Sequence, residues 1–116
     1  MSVKFPVYKD EFLYLTTTGR KSGQPHEIEI WYVAYQGRYY LCAEGRERAN
    51  WVQNLLAQPV VRWYVEGKWW QGSARPVHPG DAAGTHQAVS DRFESRYQWS
   101  DGLLVELQPD GSPLSP

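Results

Sequence analysis

The chain has 116 residues, a formal net charge of −1, 41% apolar and 22% charged residues, the makeup of one globular domain. The near-neutral balance excludes a global basic field for nucleic acid or anionic membrane, and no apolar run reaches the roughly 18 residues of a membrane span. One cysteine, Cys42, excludes an internal disulfide and a multi-cysteine metal site.

Met1-Ser2-Val3-Lys4-Phe5-Pro6 lacks the apolar stretch of a secretory signal, so a cytoplasmic location is expected. Glu11 to Thr18 is rich in aromatic and β-branched residues and ends at Gly19, which predicts a strand. Gly19 to Pro25 is a loop, two glycines and a proline around polar residues. His26 to Tyr35 alternates as a strand, with Ile28, Ile30 and Tyr32 on one face and Glu27, Glu29 and Trp31 on the other. Gln36-Gly37 turns it into Arg38 to Ala43, a hairpin. Arg46 to Gln58 has helical spacing in Ala49, Val52, Leu55 and Leu56, stopped by Pro59. Val60 to Glu66 and Trp69 to Val77 form a second hairpin across Gly67-Lys68. Pro79 to Tyr97 reads as a helix, with Ala82, Ala83, Val89, Phe93 and Tyr97 apolar and Gly84 against it. Leu103 to Leu107 is a last strand, and residues 108–116 form a mobile tail rich in proline. The expected fold is mainly β: about six antiparallel strands curled into a barrel over residues 1–107, with two helices.

Aromatic residues make up 15% of the chain, six of them Trp and eight Tyr, which suits a core of large plates, a pocket for a flat ligand or a subunit interface. Trp31-Tyr32, Trp63-Tyr64 and Trp69-Trp70 each send one ring to either side of a strand. Gly19-Arg20-Lys21-Ser22-Gly23 puts two cations, a hydroxyl and free backbone N–H groups in one loop, an anion cradle or, more blandly, a solvated turn. The Walker A spacing is absent. Arg46 and Arg48 add cations at the start of the first helix, where Glu44 opposes an anion. His26, His78 and His86 are scattered without metal-ligand spacing, so no metal is expected. Cys42 lies among apolar neighbours as a buried thiol, and no nucleophile–base or paired-carboxylate arrangement is present.

Leu15-Thr16-Thr17-Thr18-Gly19-Arg20-Lys21-Ser22-Gly23-Gln24-Pro25 resembles the signature of the deazaflavin (coenzyme F420)-dependent nitroreductase family. Trp51-Val52-Gln53-Asn54-Leu55-Leu56-Ala57-Gln58-Pro59-Val60-Val61 resembles that family's helix-to-strand passage. The resemblance implies the split β-barrel shared with pyridoxamine-phosphate-oxidase-like flavoproteins, a homodimer, and F420 or, in related branches, FMN as cofactor. It implies that Thr17, Thr18, Gly19, Arg20, Lys21, Ser22, Gly23 and Pro25 hold the phosphate and side chain of the cofactor. Arg46 and Arg48 would reach its phosphate or anionic tail, and Ile28, Ile30, Ala43, Gly45, Trp51 and Asn54 would complete its site. Trp31 and Tyr32 would wall the substrate pocket.

The implied activity is hydride transfer from the reduced deazaflavin to a quinone, an enone or a nitroaromatic, with the chemistry on the cofactor and no catalytic side chain. An FMN-dependent reductase of the same fold is the alternative, favoured by the short loop bearing Glu44. A non-catalytic dimer that binds a flavin or tetrapyrrole is a third reading. Nucleic acid is not an expected partner.

Overall fold

The structure is a computed structural model that describes residues 8–81 and 83–114. Ala82 and the Met1–Pro6 segment lie outside the described residues. Strands β1 (Leu13–Thr18), β2 (Pro25–Ile30), β3 (Val33–Tyr35), β4 (Arg38–Ala43), β5 (Val60–Val65), β6 (Lys68–Val77) and β7 (Leu103–Pro109) are joined by helices α1 (Asn50–Ala57) and α2 (Thr85–Tyr97). The strands form one antiparallel sheet in the order β2-β1-β5-β6-β7-β4-β3. Its two edges, β2 and β3, are consecutive in the chain, so the sheet curls into a half-barrel.

That curl accounts for a seventh strand. The alternation of His26 to Tyr35 predicts one strand, but the chain bends at Trp31-Tyr32, and β2 pairs with β1 while β3 pairs with β4. A bend between two inward positions leaves the alternation intact, and so left no trace in the pattern. The backbone groups freed there find a side chain: Tyr32 N–H donates to the Tyr97 hydroxyl (3.3 Å), which donates to the Tyr32 carbonyl (2.9 Å).

Both helices are shorter than their periodicity predicts. The first breaks into a 3-10 turn, Arg46–Arg48, and α1, because Ala49 is extended (φ −62°, ψ 135°). The second starts at Thr85 rather than near Pro79, since Gly84 takes a left-handed conformation (φ 68°). The Asp81 carboxylate accepts from Thr85 N–H (3.3 Å) and His86 N–H (2.9 Å) at that start. These bonds hold the Asp81 carboxyl below the usual carboxylate range.

The barrel interior holds Leu13, Leu15, Leu41, Trp63, Val105 and Leu107, and α1 packs Val52 and Leu55 against them. On the outer face, Val89 and Phe93 of α2 pack on Val33, Tyr40, Cys42 and Leu104. One charged side chain is buried with them. Glu106 accepts from the Tyr40 hydroxyl (2.8 Å), Arg75 Nε (3.0 Å) and Arg38 (3.1 Å). Burial pushes its pKa up, but these donors outweigh burial and hold it below the ordinary glutamate value.

β7 runs two residues past its expected end at Leu107. Beyond it, Asp110 N–H donates to Gln71 O (3.0 Å) and Leu114 N–H to Trp69 O (2.8 Å), so the chain expected as a tail follows β6 as far as Leu114. Gly72 makes this approach possible, because a Cβ there would overlap the Gln108 carbonyl. Gly72→Ala is expected to lower the unfolding free energy by about 2–3 kcal/mol in urea titration, by prising β6 from β7.

Candidate functional site

The turn after β1 is closed by its own backbone. Gly19 N–H donates to Gln24 O and Gly23 N–H to Gly19 O, both at 2.8 Å, and Gly23 takes φ 72°, which favours glycine. Ser22 Oγ accepts from Gln24 N–H (3.1 Å). Gly19 leaves the space into which His26 and Ser22 lean: a Cβ there would come within 2.7 Å of both His26 Nε2 and Ser22 Oγ.

Asn54 of α1 locks this turn to the barrel. It is buried, and its Oδ1 accepts from both the backbone N–H (3.2 Å) and the guanidinium (2.9 Å) of Arg20. Its Nδ2 donates to Thr17 Oγ1 (3.3 Å), and Asn50 Oδ1 takes a longer contact from Arg20 (3.4 Å). Among the described residues, neither Arg20 nor Lys21 has a carboxylate within ion-pair distance. Asn54→Ala is expected to cost about 2 kcal/mol of stability, because Thr17 and Arg20 lose a shared buried partner. Urea titration measures it.

A cavity of about 520 Å³ opens over the turn, lined by Gly19, Arg20, Lys21, Ser22, His26, Glu27, Ile28, Asn50, Trp51 and Asn54. A second, of about 680 Å³, is lined by Phe12, Glu29, Ile30, Trp31, Cys42, Ala43, Glu44, Gly45, Trp51, Phe93, Tyr97 and Trp99. Trp51 borders both, and so does β2, through Glu27 and Ile28 on one and Glu29 and Ile30 on the other. The first cavity is polar and cationic, with Glu27 as its one carboxylate; the second is aromatic. In the second, Trp31 stacks on Tyr97 with centroids 4.5 Å apart and planes 7° from parallel. Burial pushes the Cys42 thiol up to about 11, against the nearby Arg46, so the thiol is neutral and no ready nucleophile.

Several expected site residues stand elsewhere. Tyr32 turns inward and donates to Glu66 (2.9 Å), and burial with that bond pushes its pKa up to about 12. It lines a small separate cleft beside Arg92 and Arg96, away from Trp31. Arg46 is held by Asp101 at 2.9 Å, and neither it nor Arg48 lines either of these two cavities. Thr17, Thr18, Gly23 and Pro25 shape the turn without lining either cavity. Asn50, Phe12, Tyr97 and Trp99 join the linings without having been singled out for them. The Leu15–Pro25 motif flanks His26 without marking it, and Phe12 lies far along the chain from the Tyr97–Trp99 pair. Among the described residues no group of His, Cys, Asp and Glu could hold a metal ion, and no helix is long and apolar enough to cross a membrane.

A sequence model of the F420H(2)-dependent quinone reductases matches residues 3–102. An F420H(2)-dependent quinone reductase of Mycobacterium tuberculosis is 34% identical over 90 residues, 73% of this chain. The match covers 60% of that relative, so the chain spans well under its full length. Among solved structures, the haem storage protein HutZ of Vibrio cholerae superposes with a TM-score of 0.71 at 20% identity, over 91% of this chain and 86% of that one. An F420-H2 dependent reductase, FDR-A, superposes with a TM-score of 0.64 at 18% identity, over 90% of this chain and 100% of that one. These structural likenesses establish the split-barrel architecture. With the family match spanning nearly all of the sequence, the chain belongs to the F420H(2)-dependent quinone reductase family.

Proposed function

We propose that this protein binds F420 across Trp51 and reduces small quinones. The observation that carries this reading is a cationic cavity and an aromatic cavity that meet at one tryptophan. The donor set fits the cofactor: Lys21, Ser22, His26 and the free N–H groups of Arg20 offer charge-assisted hydrogen bonds to a phosphate, while Asn50 and Asn54 fix the Arg20 guanidinium. The reduced deazaflavin, when bound, supplies a hydride. Trp51 and Ile28 present the flat and apolar surfaces a tricyclic ring needs. Trp31 and Tyr97 hold the acceptor from the other side and exclude water from it. Enones and nitroaromatics are flat and electron-poor in the same way and are secondary acceptors.

The protein works as a homodimer in this reading. Trp31, Leu56 and Val60 are 44%, 48% and 54% exposed, large apolar surfaces that a second copy would cover. The lone buried thiol suits the reducing cytoplasm.

Visible absorbance after gel filtration, with F420 and with FMN, tests the cofactor. The reading expects F420 to co-elute with the protein and its reduced form to be oxidised by a naphthoquinone. Retention of FMN alone would move the protein to the FMN-dependent branch, and retention of cofactor without turnover of any acceptor would make it a binding protein.

A further inference from the structure

We infer that the aromatic cavity selects acceptors by charge, with Glu29 and Glu44 admitting uncharged quinones and turning away anionic ones. The inference rests on the deazaflavin reading, because it assigns this cavity to the acceptor. The lining carries two carboxylates and no cation. Arg46, next in sequence to the lining residue Gly45, is held by Asp101 at 2.9 Å and does not offset them. The Glu29 carboxylate is fixed where it stands by the Tyr14 hydroxyl, which donates to it at 2.7 Å. Trp31, stacked on Tyr97 and 44% exposed, offers an aromatic surface that favours an electron-poor neutral ring over an anion, while the Arg96 guanidinium lies over the Tyr97 ring at 5.1 Å without being part of the lining.

The complementary cations stand in the other cavity. Arg20 and Lys21 line it against the single carboxylate Glu27. A negatively charged acceptor is therefore repelled where it should bind and attracted where the cofactor's phosphate should bind. The separation of charge assigns each molecule its own cavity, a specificity built from repulsion as well as attraction.

Equilibrium dialysis of the cofactor-free protein tests this with 2-methyl-1,4-naphthoquinone and a sulfonated 1,4-naphthoquinone. The uncharged compound is expected to bind at least about tenfold tighter, each carboxylate contributing about fivefold discrimination at a surface site. Glu29→Gln with Glu44→Gln keeps the Tyr14 hydrogen bond acceptor and should bring the ratio to about threefold or less. Asp110→Asn, which removes one carboxylate at the distant end of β7, should leave the ratio unchanged. The ratio in the unaltered protein should also fall as salt is raised, a check that requires no variant. The same order is expected in the KM values for the two quinones with F420H2. Equal binding of the two in the unaltered protein, or a ratio untouched in the folded double variant, would overturn the inference. Protein that takes up no F420 yet keeps the charge ratio would overturn the cofactor reading and support the selectivity itself.

Discussion

Replacing Arg20 and Lys21 together by alanine is expected to weaken F420 binding about a hundredfold, which titration of the cofactor's absorbance would measure. Each cation offers a charge-assisted hydrogen bond worth about 1.5 kcal/mol at an exposed site, near tenfold in Kd, and two such losses multiply. The effect belongs to binding, because both side chains are exposed and neither has an ion-pair partner among the described residues. Stability should change by no more than the loss of the Arg20 contact with Asn54 allows, about 1 kcal/mol. Lysine in place of Arg20 keeps the charge but cannot reproduce the forked contact with Asn50 and Asn54, so it should restore only part of the affinity. An unchanged Kd in the folded double variant would remove the cradle from the account.

Glu106→Gln is expected to lower stability at neutral pH by about 3 kcal/mol, roughly 15 °C in melting temperature for a domain of this size. The buried carboxylate is the common acceptor for Tyr40, Arg75 and Arg38, and an amide turns one of its acceptor atoms into a donor facing donors. The arginines reach solvent and can turn to water, which keeps the loss at the lower end of the range for a broken buried pair. The effect depends on pH with a defined sign. The folded pKa of Glu106 lies below its ordinary value of 4.5, so its contribution is complete above that value and is lost as the pH falls through the folded one. Urea titrations of both proteins should differ fully at pH 7 and converge as the pH falls below the ordinary glutamate value and through the folded one. A gap that stays constant into strong acid would contradict the assignment.

Much of the fold was legible because hairpin chemistry is local. Gln36-Gly37 takes the positive φ values that a two-residue hairpin turn demands, 50° and 76°; the second turn is Glu66-Gly67 (51° and 80°) rather than the expected Gly67-Lys68, because Lys68 already pairs with Val65 in the ladder. The sheet's closure was not legible, since the bend at Trp31-Tyr32 is stabilised by Tyr97, more than sixty residues away along the chain. The breaks in the helices were hidden for a related reason. Ala49 carries no capping signal, and Gly84 had to be weighed against a Pro79 that suggested an earlier start.

The site divides in the same way. The turn from Gly19 to Gly23 is contiguous, so its cations and glycines could be read together as one anion cradle. The aromatic cavity draws Phe12, Trp31, Trp51 and the Tyr97–Trp99 pair from four separate segments, and only the curled sheet makes them neighbours. Trp31 and Tyr32 could not be assigned to sides without the register: Trp31 faces the cavity and Tyr32 the core.

A crystal structure of the protein with F420 measures the central arrangement directly. The account predicts the phosphate within hydrogen-bond distance of Lys21 and Ser22, with the deazaflavin ring against Trp51 and one face open toward Trp31 and Tyr97. A cofactor bound with its phosphate away from the Gly19–Gly23 turn, or with its ring out of contact with Trp51, would contradict it.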